Sequence, residues 1–205
     1  KKFILLFFTL SSFSLFGQEV VETPEHFGQF YNNPILNIAR NGLDSKVEVF
    51  LDNQRNLGGY VGVSTSYFGL FINQKTKRRS RRKSKNVYGV YFYNDREGDN
   101  LFRRRVLLSF ARHQQLSKDL YLSLAISGGL YLYGIKPTTL TPAYSANSFE
   151  GNSSLLLYSD KFQVGLSMNQ FTNNSIQPVL QVTKLKRHYF LFSQYKLKTD
   201  KVDLI

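Results

Sequence analysis

Cysteine and tryptophan are both absent from the 205 residues. Without cysteine the chain cannot be a disulfide-stapled scaffold, so burial or lipid must hold its fold. No apolar run reaches the ~20 residues that a membrane-spanning helix requires, and the mean hydropathy of -0.28 is too polar for a helical membrane protein. Catalytic spacings are missing as well. His26, His113 and His188 are scattered, with no His-x-x-x-His or cysteine pair to hold zinc. Neither a Gly-x-x-x-x-Gly-Lys phosphate loop nor a Gly-x-Ser-x-Gly nucleophile turn occurs. No enzymatic activity, catalytic residue, metal or cofactor is therefore expected.

The beginning of the chain reads as an export signal. Lys1-Lys2 precedes the short apolar run Phe3 to Phe16, and cleavage between Gly17 and Gln18 satisfies the small-residue requirement. Residues 1–17 form the expected signal peptide, and about 188 residues remain for one domain. Aromatic residues make up 15% of the chain, with 13 Tyr and 18 Phe. So many aromatics in so polar a chain fit a transmembrane barrel, where only alternate residues of each strand meet lipid.

Alternation along the chain supports that reading. Leu120, Leu122, Leu124, Ile126, Leu130 and Leu132 share one parity, and Tyr121, Ser123, Ala125, Ser127, Tyr131 and Tyr133 the other. A period of two puts these sets on opposite faces of a strand, whereas a helix would scatter them. The pattern recurs in Phe162, Val164, Leu166 and Met168, and in Val61, Val63, Thr65 and Tyr67 against Gly62, Ser64 and Ser66. About nine strands are expected, over 45–53, 58–72, 87–94, 101–115, 120–134, 152–159, 161–169, 186–198 and from Val202. Several reach the ~9–11 residues needed to cross a bilayer at a tilt. Ser117-Lys118-Asp119, Ser159-Asp160-Lys161 and Thr199-Asp200-Lys201 make short turns, while 135–151 and 170–185 read as longer loops. Alternating short and long connections suit an outer-membrane barrel with short periplasmic turns. Alternation alone leaves open a soluble lipocalin-like barrel with its apolar faces turned inward.

Two basic clusters stand out. The first is the link from Gln74 to Asn86, on the side of the short turns, which holds Lys75, Lys77, Arg78, Arg79, Arg81, Arg82, Lys83 and Lys85 with no acid among them. Its plain reading is a solvated turn, and its functional reading is a dock for an acidic periplasmic partner or anionic head groups. Nucleic acid is not an expected ligand, because the block follows an export signal and no aromatic interleaves it. The second cluster is Arg103-Arg104-Arg105, inside a strand, where alternation sends Arg104 to one face and its neighbours to the other. Asp95, Glu97 and Asp99 on the adjoining turn are its expected partners.

Beyond these local signals, Phe27-Gly28-Gln29-Phe30-Tyr31-Asn32-Asn33-Pro34 followed by Asn37-Ile38-Ala39 resembles the opening of the PorP/SprF family. Asn53-Gln54-Arg55, Asn94-Asp95-Arg96-Glu97-Gly98, the stretch from Leu116-Ser117 through Gly129, Asp160-Lys161-Phe162-Gln163-Val164-Gly165-Leu166-Ser167 and Arg187-His188-Tyr189-Phe190 resemble its later elements in order. The match covers residues 27–198. It departs where the family's second proline is replaced by Ile38, where the family's tryptophan is missing and where the basic turn is enlarged. The resemblance implies a non-enzymatic outer-membrane barrel of the type IX secretion and gliding machinery that assists secretion or surface attachment of cargo adhesins. It implies contacts with the C-terminal signal domain of cargo and with periplasmic ring or peptidoglycan-linked lipoprotein components. Residues 18–44 would be an N-terminal periplasmic segment carrying the family motif, and 45–205 the strands. Because the family runs on through further strands, the barrel reads as incomplete at its C-terminus, from a partial coding sequence or a degenerate paralogue. The alternative function is an outer-membrane barrel that transports or binds a small solute.

Overall fold

The computed structural model describes residues 36–55, 63–75, 84–139, 142–177, 183–198 and 203–204. Strands make up 72% of the described residues. No α-helix occurs among the described residues, so no helix there is long and apolar enough to cross a membrane. The expected signal peptide lies outside the described residues.

The strands are β1 (Val47–Arg55), β2 (Ser64–Lys75), β3 (Ser84–Glu97), β4 (Leu101–Gln115), β5 (Tyr121–Ile135), β6 (Tyr144–Tyr158) and β7 (Phe162–Asn169), followed by β8 (Ser175–Ile176), β9 (Thr183–Lys184), β10 (His188–Tyr195), β11 (Leu197–Lys198) and β12 (Asp203–Leu204). β1 to β7 and then β10 pair in sequence as one antiparallel sheet, while β8–β9 and β11–β12 are separate ribbons. The sheet is curled into a half-barrel. Each expected strand up to 186–198 corresponds to a strand of this sheet, and the start at Val202 becomes β12, paired with β11.

The two faces differ as a bilayer requires. Leu51, Leu108, Leu124, Ile126, Leu130, Leu166 and Leu191 are each at least half exposed on the convex face. Polar side chains such as Arg105, His113, Ser123, Glu150, Asn152 and Ser167 are buried on the concave one. A soluble barrel hides its apolar face and solvates its polar one, so this inversion removes the lipocalin-like reading.

On β2, β3 and β4 the convex apolar positions are Phe68-Leu70-Ile72, Tyr88-Val90-Phe92 and Val106-Leu108-Phe110. Polar rows Ser66/Asn94/Arg104 and Gln74/Asn86/Arg112 bracket them in register, eight residues apart on every strand. Eight residues span roughly 26 Å along a strand. At a tilt of ~40° that projects to about 20 Å, near the ~25 Å apolar band of transmembrane barrels.

Two expectations need correction. Residues 135–151 are not all loop, because β6 already begins at Tyr144 and pairs with β5 up to Ile135. Its first half carries Ser145, Asn147, Phe149 and Gly151 on one parity, too little apolar alternation to mark a strand. On β2, Thr65 and Tyr67 share a parity with Val63, but this parity faces inward, and Tyr67 is buried. The convex face of β2 is carried instead by Phe68, Leu70 and Ile72.

Candidate functional site

The concave face is occupied by two segments of the chain itself. At the end nearer the β4–β5 and β6–β7 turns lies the 3₁₀ turn Ile38–Arg40, with Ile38 and Ala39 fully buried against Tyr67, Phe71, Val87, Leu107 and Leu156. Its local cause is Asn37, whose Oδ1 accepts from the Ala39 N–H at 2.9 Å and caps the turn. Gly42 then turns with φ +73, where an added Cβ would strike the Val87 side chain. The Glu48 carboxylate accepts from the backbone N–H groups of Gly42, Asp44 and Ser45 at 2.8, 3.1 and 3.3 Å, which fixes the entry into β1.

The sheet holds this plug mainly by its backbone. Ser167 Oγ donates to the Leu36 carbonyl, and the Ile38 N–H donates to Ser154 Oγ at 3.3 Å. His113 Nε2 lies 3.0 Å from the Asn41 carbonyl, and Arg40 Nε donates to Gln163 Oε1 at 3.3 Å. Lys85 Nζ donates to the Gly42 and Leu43 carbonyls at 2.5 and 3.3 Å. Strands β3, β4, β6 and β7 thus all grip residues 36–43 through polar contacts.

That grip leads to a measurable expectation. Ser154→Ala with Ser167→Ala removes two bonds worth about 1 kcal/mol each. Tryptic cleavage after Arg40, followed by mass spectrometry on the detergent-folded protein, should accelerate by roughly thirtyfold while the sheet stays folded. Ser193→Ala, on the convex face of β10, serves as the control. Equal cleavage rates in all three proteins would mean that these hydroxyls do not hold the plug.

The middle of the concave face carries a buried ion pair. Arg105 Nε lies 3.3 Å from Glu150 Oε2, with the two side chains 5% and 2% exposed. The Arg105 guanidinium sits between two rings, 5.1 Å from the Tyr93 centroid and 5.2 Å from that of Tyr131. Register causes this sandwich, since Arg105 is the direct cross-strand neighbour of both tyrosines. Beside it, Asn152 Nδ2 donates to Tyr91 Oη at 3.3 Å and Ser127 Oγ at 3.1 Å.

The second occupying segment follows β7. The Gln170 N–H donates to Asn152 Oδ1 at 2.8 Å, and the Phe171 N–H donates to the Gly151 carbonyl at 2.9 Å. Asn174 Nδ2 donates to the Phe149 carbonyl at 2.7 Å. These bonds take the edge of β6 above Ser153, where β7 no longer pairs. Ile176 and Leu185, from the β8–β9 region, then pack on Tyr131.

The arginine triplet divides as its parity requires. Arg103 turns inward to Asp95 at 3.4 Å and Glu97 at 2.9 Å, two of the expected partners. Arg104 faces outward, donates to Asn94 Oδ1 at 3.1 Å and lies 4.7 Å from the Phe102 ring centroid. Arg105 takes Glu150, a partner that no local signal announces.

The basic link is only partly within view. Lys77, Arg78, Arg79, Arg81, Arg82 and Lys83 lie outside the described residues, and Lys75 ends β2. Lys85 is held inside by the plug carbonyls, apart from any solvated block. Among the described residues, no three His, Cys, Asp or Glu side chains are grouped to hold a metal.

No match was found among curated proteins or among solved structures. The family model described as type IX secretion system membrane protein PorP/SprF matches residues 21–205. With a convex apolar band, a polar concave face and a family match over nearly its whole length, this chain belongs to the PorP/SprF family of type IX secretion system membrane proteins.

Proposed function

We propose that this protein sits in the outer membrane and helps the type IX machinery secrete cargo adhesins or hold them at the cell surface, in gliding or in surface display. The observation that carries this reading is the family match over residues 21–205. The interior supports a docking role over solute passage. Residues 36–43 and the stretch after β7 occupy the concave face, so the chain's own groups fill the space that a solute would use. Partners would then be met at the rims, where loops vary without disturbing the sheet.

The basic block is the candidate dock for an acidic periplasmic component, a ring or peptidoglycan-linked lipoprotein. Lys75, Lys77, Arg78, Arg79, Arg81, Arg82 and Lys83 would carry it, because Lys85 serves the plug. The deletion strain should retain a particular surface protein inside the cell, and a tagged copy should copurify with that cargo's C-terminal signal domain. Replacing the seven cations with serine should leave assembly intact and flatten the salt dependence of periplasmic partner capture. Normal display of every secreted protein, together with lost uptake of one solute, would overturn the secretion reading in favour of transport.

A further inference from the structure

We propose that the convex border formed by Arg55, Arg96 and Arg104 seats the phosphate of a membrane lipid. This rests on the reading of the convex face as lipid-facing and adds a head-group site to it. Register assembles the site. Arg55, Ser64, Arg96 and Phe102 share one cross-strand row of β1 to β4, and Asn53, Ser66, Asn94 and Arg104 share the next. With strands ~4.8 Å apart, Arg55 and Arg96 attach about 10 Å from one another, and Arg104 lies diagonal to Arg96 at about 8 Å. All three arginines are exposed.

Two features select a lipid phosphate. The first is charge segregation. Every acidic residue on β1 to β4, namely Glu48, Asp52, Asp95 and Glu97, has the inward parity, and Arg103 engages Asp95 and Glu97. Asp99 belongs to the turn after β3. Among the described residues no ion pair involves Arg55, Arg96 or Arg104, so three cations and an amide-hydroxyl ladder face outward without a carboxylate. That ladder is ordered, with Asn53 Nδ2 donating to Ser66 Oγ at 2.8 Å and Asn94 accepting from Arg104.

The second feature is the neighbouring row. Leu51, Phe68, Phe92 and Val106 lie one convex row toward the apolar band, with the Phe68 and Phe92 rings 6.0 Å apart. A ligand on the arginines therefore has an apolar shelf about 7 Å from the Arg104 row and about 13 Å from the Arg55–Arg96 row along the strands. An acidic protein surface would satisfy the cations and leave this shelf unmatched, whereas a phospholipid places its phosphate and acyl chains against both.

The test uses the full chain in phosphatidylcholine nanodiscs containing a minor share of phosphatidic acid. Lipid retained after detergent extraction is counted by native mass spectrometry. Wild type should retain phosphatidic acid in preference to phosphatidylcholine, and Arg55→Gln/Arg96→Gln/Arg104→Gln should retain at least tenfold less. The matched triple lysine variant keeps the charge and should retain most of the preference. Arg112→Gln, at the opposite border, should behave as wild type. Arg96→Gln alone, an exposed change, is expected to lose about threefold and covers the case in which the triple glutamine variant does not fold. Equal retention of the two lipids by wild type, or displacement of phosphatidic acid by matched inorganic phosphate or polyglutamate, overturns the proposal. Failure of the chain to enter nanodiscs at all would instead overturn the lipid-facing reading beneath it.

Discussion

Gly129→Ala is expected to abolish assembly, while Gly128→Ala, one residue earlier, leaves it nearly unchanged. Gly129 lies at the centre of β5, paired with Leu107 of β4 on one side and Glu150 of β6 on the other. An added Cβ would overlap the Val106 carbonyl oxygen and fall 2.9 Å from Leu107 Cα. These are backbone atoms in the middle of a fifteen-residue strand, and moving them shifts the ladder on both sides. Glu150 would also be displaced from Arg105. At Gly128 the Cβ would meet the tip of the Phe149 ring at 2.9 Å, and that ring is 53% exposed and free to swing. A cost of about 4 kcal/mol or more is expected at Gly129 and under ~1 kcal/mol at Gly128. Heat-modifiable gel mobility and the urea midpoint of detergent-folded protein measure both. Equal midpoints for the two variants would refute close backbone approach as the reason for glycine at 129.

β5 was legible because it carries a long alternation, and the short Ser117-Lys118-Asp119 turn joins it to β4. Leu120 to Tyr133 gave both parities, and the structure turns its leucines out and its tyrosines and serines in. Which parity faces lipid was not legible there, since a lipocalin-like barrel has the same period. What decides it is the exposure of Leu108 or Leu191 set beside the burial of Glu150 and His113, a comparison between distant strands. β6 was half lost for a local reason: apart from Phe149, the convex positions of its first half, Ser145, Asn147 and Gly151, are small or polar. At Gly151 the Phe171 ring takes the space of a side chain.

The interior was harder to read, because its partners are far apart in the chain. Arg103 could be matched to Asp95 and Glu97, since the β3–β4 turn returns them to one another within ten residues. Arg105 meets an acid 45 positions away across β5, and no periodicity encodes that choice. The plug posed a similar difficulty. Asn37, Ile38 and Ala39 were recognisable as a motif, but Ser154, Ser167 and His113, which hold the segment, read only as polar members of alternating strands. Lys85 read as one cation of a block until its carbonyl partners were seen.

Breaking the Arg105–Glu150 pair one partner at a time is expected to cost far more than removing both. Either Arg105→Met or Glu150→Gln leaves a charge on a face from which water is excluded, at about 3–5 kcal/mol. Arg105→Met/Glu150→Leu replaces two costly desolvations with apolar contact to Tyr93 and Tyr131, and should return to within ~1 kcal/mol of wild type. The pair meets at 3.3 Å with Arg105 Nε and Glu150 Oε2 making no aligned hydrogen bond to one another, so what this contact offers against desolvation is Coulombic. The rings on both sides of the guanidinium contribute the remainder, which the Met variant keeps as dispersion. Urea titrations of the four proteins in one detergent give the coupling directly. Ile176 and Leu185 rest on Tyr131, so a disturbed pair should also loosen the segment after β7. Faster proteolysis at Lys184 in the single variants, restored in the double, would register that link. Additive losses, with the double variant as weak as the sum of the singles, would instead place the stabilising role in each residue's separate packing and remove the ion pair from the account of how this interior is held.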